Sequence, residues 1–205
     1  MTVVLGIDPN FHQTGWVLAY SASDRQIWRW GLWLTTMGRK GLAAQHEQTQ
    51  HLKSWLVNNT VHEPLIVAIE DTHLDENPNT FKLLSELCGG MAYVAFNHGV
   101  SVVRVSSSEV RSQMQLPIKA GRTDRKLASL RWASIIFGAE GHRREADLFS
   151  EAADALIAPR GNEAKADAVL KPSSLSIDVA DALQIALIVA GRAKIADRAE
   201  GAIQV

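Results

Sequence analysis

The chain has 205 residues, of which 46% are hydrophobic, 21% charged and 6% aromatic. This composition is typical of one globular domain with a buried core, and it excludes disordered, collagenous and coiled-coil chains. The net charge of −1, from 21 basic and 22 acidic residues, does not by itself indicate a nucleic-acid partner.

The N-terminal segment predicts a meander of three antiparallel strands. Residues 3–8 form an apolar run that ends in Asp8, which indicates a buried strand with a carboxylate at its C-terminal end. Turn residues separate it from residues 14–20 and 26–34, where tryptophans alternate on one face. Residues 1–7 have neither the basic leader nor the cleavage site of a signal peptide, so we expect a cytoplasmic protein.

A helix and a fourth strand follow the meander. Apolar and small residues recur at helical spacing over residues 41–59, which predicts an amphipathic helix against the sheet. Residues 65–70 repeat the design of the first strand, because an apolar run again ends in an acid, Glu70. The sequence thus brings a second carboxylate to a strand end.

The next helix is predicted over residues 80–99 and contains Gly89 and Gly90, which favours a close approach to a strand or a partner helix. It also contains Cys88, a single cysteine that cannot form an internal disulfide and that we expect to be buried. Residues 100–105 form a further buried strand.

A basic stretch follows this strand. A capping box at residues 106–109 starts a short helix, and Thr123 or Asp124 is expected to cap the next one. Seven basic residues against two acidic ones make the stretch locally positive, so we interpret it as a candidate phosphate contact. The basic residues are Arg104, Arg111, Lys119, Arg122, Arg125, Lys126 and Arg131.

Residues 138–176 are polar and rich in alanine, and we interpret them as an insertion in a single domain over residues 1–205, with one helix near residues 146–158. The last helix begins near Ser176 and is expected to fray after Arg192. Its apolar run is interrupted by polar residues and falls short of the roughly 18 residues of a membrane span. We therefore expect no membrane partner.

The order of elements indicates an α/β fold with a mixed five-stranded sheet flanked by helices. Acids at element ends form the strongest chemical signal: Asp8, Glu70, Asp178 and Asp181. Clustered carboxylates repel one another unless a cation neutralises them, and Mg²⁺ or Mn²⁺ prefers such oxygen ligands. Two ions about 4 Å apart would activate a water and stabilise the leaving oxygen of a phosphodiester. Taken singly, each acid is more simply explained by a turn or a helix dipole.

Four segments in this order resemble the RuvC-type Holliday junction resolvases of the ribonuclease H-like superfamily. They are GIDPN at residues 6–10, TGW at 14–16, AIE at 68–70 and DVADAL at 178–183. The resemblance implies a ribonuclease H-like fold and a homodimer that binds four-way DNA junctions and makes paired symmetric nicks. It also implies two Mg²⁺ ions per site, replaceable by Mn²⁺, with Asp8 bridging them and the other three acids completing the ligand set.

The resemblance also suggests contacts to DNA. His73 stands where the family has an aromatic residue that wedges against junction bases, and Asn10 stands where it usually has glycine. Either Lys126 or Arg125 is expected near the scissile phosphate, with Lys126 included among the catalytic residues. The full set of candidate DNA-binding residues is His73, Arg111, Lys119, Arg122, Arg125, Lys126 and Arg131.

A second acidic motif competes with the one on the last helix. Glu151 and Asp154 lie in EAADAL, which has the same spacing, but Pro159 ends that helix almost at once. We therefore favour Asp178 and Asp181 as the site residues.

Three other functions stay open. One is a ribonuclease H-like nuclease that cuts other branched or flapped DNA or an RNA–DNA hybrid. Another is a catalytically silent DNA-binding scaffold, which the intact acidic set disfavours. The third is an actin-like or sugar-kinase-like nucleotide binder, for whose second lobe 205 residues leave little room.

Overall fold

A computed structural model describes residues 2–21, 27–59, 63–71, 78–116, 121–159, 161–171 and 175–203, without the side chains of residues 27–28 and 192–203. The strands are β1 Val3–Asp8, β2 Gln13–Tyr20, β3 Ile27–Leu34, β4 Leu65–Glu70 and β5 Ser101–Val105. The helices are α1 Leu42–Asn58, α2 Pro78–Asn97, α3 Ser107–Gln113, α4 Arg122–Ala139, α5 Arg143–Ile157, α6 Glu163–Leu170 and α7 Ile177–Ile203.

The five strands form one mixed sheet in the order β3-β2-β1-β4-β5. β1, β2 and β3 pair antiparallel, whereas β4 runs parallel to β1 and β5 runs parallel to β4. This confirms the predicted mixed five-stranded sheet. Because Ile7 is in register with Ile69, the acids that follow them, Asp8 and Glu70, end their strands side by side.

Side chains alternate between the two faces of the sheet, and each face has its own core. Val3, Leu5 and Ile7 pack toward α1 and α2, while Val4 packs toward α4, α5, α6 and α7. Helix α7 lies close against the strands because Gly6 has no side chain. A Cβ at this glycine would lie only 2.5 Å from the carbonyl oxygen of Ala182.

The caps confirm two predicted helix starts and correct a third. Ser106 and Glu109 form the predicted capping box of α3, and the Ser176 hydroxyl accepts a hydrogen bond from the backbone N–H of Val179 at the start of α7. The predicted cap of α4, Thr123 or Asp124, is wrong by two or three residues, because the N-cap is Gly121. This helix begins at Arg122, and the Asp124 carboxylate reaches back to the backbone N–H of Gly121.

Helix α1 confirms the predicted segment, but in its first two turns other residues than those expected face the core. Leu42 is 73% exposed, whereas Gln45 and Gln48 are buried. The amide nitrogen of Gln48 donates to the Trp33 carbonyl and the Thr35 hydroxyl, whereas its Oε1 is buried with no hydrogen-bond partner among the described residues. The expectation of an apolar stripe missed these buried polar residues.

The segment at residues 138–176 contains two helices, α5 and α6, where the sequence predicted one. Asn162 caps α6, because its side chain accepts from the backbone N–H of Lys165. Helix α7 continues beyond Arg192, to Ile203. In the part of the chain that the structure describes, no helix is long and apolar enough to cross a membrane.

Candidate active site

A cleft of about 350 Å³ opens at the C-terminal ends of β1 and β4. Helix α7 provides one wall, and α3, α4 and α6 provide the others. All four predicted acids line this cleft: Asp8, Glu70, Asp178 and Asp181. The sheet register and the first turn of α7 therefore bring together residues that are far apart in sequence.

Three of these acids form a compact group. Asp8, Asp178 and Asp181 each offer one carboxylate oxygen, and these atoms all lie within 4.8 Å of one another. Glu70 lies outside this group but lines the same cleft, and its side chain interacts with that of Asp8. Three hard oxygen donors at this spacing fit a divalent cation such as Mg²⁺ or Mn²⁺.

Burial and repulsion between carboxylates raise the pKa of Asp8, Glu70 and Asp178. Burial is the main cause that raises the pKa of Asp8 well above its usual value, and Glu70 and Asp181 raise it further. The pKa of Glu70 is raised by burial and by Asp181. Burial also raises the pKa of Asp178, to about 6. The charged cluster is therefore costly without a cation, which is the property expected of a metal site.

Lys126 supplies a cation from within the chain. Its Nζ donates to Oδ2 of Asp181, and both side chains are largely buried. Burial lowers the pKa of Lys126, but the carboxylates of Asp181, Asp8 and Asp178 outweigh it and raise the pKa above its usual value. Lys126 is thus a buried ammonium in the carboxylate cluster.

Gln13 orients the carboxylate of Asp178. Its Nε2 donates to Oδ2 of Asp178 at 2.8 Å. Two residues further along β2, Gly15 lets the strand approach the start of α7, because a Cβ there would lie 2.2 Å from the carbonyl oxygen of Asp178. The first turn of α7 is therefore held directly against β2.

Helix α6 contacts the start of α7 and the start of α4. The Asp167 carboxylate accepts a hydrogen bond from the backbone N–H of Ile177 at 2.9 Å. Glu163 forms a salt bridge with Arg122 at the start of α4. Because both acids line the cleft, the segment at residues 138–176 contributes to its wall.

The structure separates the candidate DNA-binding residues into three groups. Arg111, Arg122, Arg125 and Lys126 line the cleft. Arg131 is exposed on α4 and is not among the lining residues. His73 and Lys119 lie outside the described residues.

Arg125 differs from the other cleft arginines in its bonding. Its Nε is buried and has no hydrogen-bond partner among the described residues. Its positive charge also lowers the pKa of Glu70, which indicates that the two side chains are near each other. A buried donor without an acceptor carries a free-energy cost, and an anionic ligand such as a phosphate would remove it.

The competing acidic motif does not reach the cleft. Glu151 and Asp154 are both exposed on α5, and neither lines the cleft. Asn10 does line it, with its backbone N–H near the Thr14 hydroxyl and without a left-handed backbone. Cys88 is buried against the carbonyl of Glu70, as predicted, and burial raises the pKa of its thiol to about 12.

Three site residues were missed in the sequence: Gln13, Glu163 and Asp167. Gln13 and Asp178 are 165 positions apart, so no local pattern joins them. Asp167 could have been found only through α6, whose start Asn162 signals as a helix cap. Gln13 and Asp167 bond to α7, which carries two of the predicted acids, and Glu163 bonds to α4, which carries Lys126.

Comparison with known proteins supports the fold. Neither the family profiles nor the curated protein sequences give a match. Among solved structures, RuvC of Thermus thermophilus in complex with a Holliday junction substrate superposes with a TM-score of 0.61 at 19% identity, covering 94% of this chain and 96% of that one. A second Thermus thermophilus RuvC structure gives a TM-score of 0.55 at 18% identity, covering 95% and 96%. The resemblance found in the sequence is confirmed at the level of the fold.

Proposed function

We propose that this chain is a metal-dependent endonuclease that resolves four-way DNA junctions by paired symmetric nicks. The observation that carries the proposal is the meeting of Asp8, Asp178 and Asp181 in one cleft, with Glu70 beside them, on a fold shared with RuvC. One of the RuvC structures holds a Holliday junction substrate. Shared fold alone does not define function, so the proposal depends on the chemistry of the cleft.

The acids fit Mg²⁺, with Mn²⁺ as a substitute. Asp8, Asp178 and Asp181 would hold the cation, and Glu70 would complete the set through its contact with Asp8. When bound, such a cation supplies a nucleophilic water at neutral pH and stabilises charge on the phosphate oxygens. The resemblance to the family implies two ions.

The chain's own residues bind and orient the DNA. Arg125 has a buried Nε that an oxygen of the scissile phosphate would satisfy. Arg111 and Arg122 lie at the same cleft and extend the positive surface along the backbone. Gln13 holds the Asp178 carboxylate in place, so the ligand is preorganised before the substrate binds.

Paired nicks require two active sites, so we propose a homodimer formed through the outer face of α2. Gly89 is exposed, with no atom within 4 Å of an added Cβ, whereas a Cβ at Gly90 would lie 3.4 Å from the hydroxyl oxygen of Thr49 on α1. On the same face, Tyr93 is 67% and Phe96 75% exposed. Large exposed aromatic residues beside a glycine favour helix-to-helix contact with a second copy.

The dimer proposal is tested by measuring the mass of the protein in solution. Tyr93→Asp combined with Phe96→Asp should give monomers that still bind a divalent cation but no longer cut both strands in concert. A native protein that is monomeric at working concentration would contradict this part of the proposal. An unchanged dimer in the double variant would show that another surface joins the two copies.

A substrate panel tests the function. A labelled, immobile four-way junction is compared with duplex DNA, a flap and an RNA–DNA hybrid, in Mg²⁺ and in chelator. We expect symmetric paired nicks on the junction, and none in chelator. Equal cutting of flaps or hybrids would assign the chain to a broader nuclease class, and binding without cutting in any metal would favour a silent scaffold.

A further inference from the structure

We infer that each active site takes one divalent ion and that the ammonium group of Lys126 occupies the place of a second. The inference rests on the proposed function, because it concerns the number of ions used in the proposed reaction. It replaces the two-ion arrangement implied by the resemblance to the family.

Both carboxylates on α7 are already bonded to donors of the chain. Oδ2 of Asp181 accepts from Nζ of Lys126, and Oδ2 of Asp178 accepts from Nε2 of Gln13. One oxygen of each carboxylate is thus engaged by donors of the chain itself. These two residues and Asp8 form a group whose ligand atoms lie within 4.8 Å of one another.

Lys126 occupies space in the cleft beside the carboxylates. It extends from α4 into the cleft, and its side chain is only 20% exposed. Its ammonium group is bonded to Oδ2 of Asp181, and a second ion bound to this oxygen would occupy the same place. Two cations cannot share this position, because their repulsion is poorly screened in a buried site.

Charge balance gives the same result. Six acids line the cleft and carry six negative charges when ionised, and four basic residues line it and return four of them, which leaves a net charge of −2. One divalent ion would therefore neutralise the DNA-free cleft, whereas two would leave it with a double positive charge.

Counting bound Mn²⁺ tests the inference without any measurement of cutting. Metal-free protein is titrated with Mn²⁺ by calorimetry, and the bound ions are examined by electron paramagnetic resonance. We expect one Mn²⁺ per protomer in the native protein, with the spectrum of an isolated ion. Lys126→Met should bind two, with the exchange-coupled spectrum of ions about 4 Å apart.

Two further variants separate the role of Lys126 from a general effect on folding. Lys126→Arg keeps the cation and should keep one ion, while Lys53→Met removes an exposed lysine on α1 and should also keep one. Circular dichroism checks that each variant is folded. If Lys126→Met does not fold, the native protein and Lys126→Arg still give the stoichiometry.

The possible outcomes are distinct. Two coupled ions in the native protein would overturn the inference and leave the proposed nuclease standing. One ion in both the native protein and Lys126→Met would refute the role of Lys126. No Mn²⁺ binding at all would contradict the inference and the metal-dependent function together.

Discussion

Replacing Asp178 with asparagine should make the metal-free protein more stable at neutral pH. The carboxyl is buried, and its pKa rises from 3.8 to about 6 in the folded protein. The folded state therefore binds a proton that the unfolded state releases, so the native protein loses stability as the pH rises from 3.8 through about 6. Asparagine has no such proton to lose, and its amide can still bond to Gln13.

The size of the effect follows from the shift. A change of about two pKa units corresponds to roughly 3 kcal/mol, the expected gain in the free energy of unfolding of Asp178→Asn at about pH 7.5. The gain should fall below roughly 1 kcal/mol at about pH 4, where the carboxyl is protonated in the folded state and half-protonated in the unfolded one.

Urea unfolding in chelator at the two pH values measures this difference. Asp154→Asn is the matched control, because it makes the same chemical change at an exposed carboxylate on α5. We expect the control to lie within roughly 0.5 kcal/mol of the native protein at both pH values. If Asp178→Asn is no more stable than the native protein at neutral pH, the account of a strained carboxylate cluster is wrong.

Three further predictions concern the support of the site. Gly15→Ala should destabilise the protein by roughly 1–3 kcal/mol in urea unfolding, because its Cβ would meet the backbone of Asp178. The control Gly191→Ala, on α7 with open space around it, should be neutral or stabilising by up to about 1 kcal/mol. Equal effects would refute the close approach of β2 and α7. Gln13→Leu should weaken Mn²⁺ binding about fivefold, measured by calorimetry, because Asp178 loses one hydrogen bond of about 1 kcal/mol. An unchanged affinity would show that Gln13 does not position Asp178. Arg125→Gln should lower the affinity for the junction. The slope of log affinity against log salt concentration should become shallower by about 0.9, as expected for one lost phosphate contact. An unchanged slope would show that Arg125 does not contact the DNA backbone.

The strands and their terminal acids were predictable because the signals are local. An apolar run that ends in an acid defines β1 with Asp8 and β4 with Glu70, and the parallel register then places these acids together. The choice of α7 over the look-alike motif on α5 was also predictable, since Pro159 limits that helix. The structure agrees in placing Asp178 in the cleft and Asp154 on the surface.

What could not be predicted depends on long-range packing. The bond from Gln13 to Asp178 joins β2 to α7, and nothing near Gln13 in the sequence indicates it. The buried amides of α1 look like a solvent face until Gln48 is seen to bond the end of β3. Lys126 was expected at a phosphate, and only the folded site shows it bonded to Asp181.

The most direct test of the central claim is cutting of a labelled four-way junction by the native protein, Asp8→Asn and Asp154→Asn in Mg²⁺, with junction binding measured in parallel. The account predicts paired nicks by the native protein and by Asp154→Asn. It predicts junction binding without cutting by Asp8→Asn, because this variant loses a carboxylate of the metal-binding group and keeps the basic cleft. Metal-dependent cutting that survives in Asp8→Asn, or that disappears in Asp154→Asn while binding is kept, would contradict the assignment of the active site.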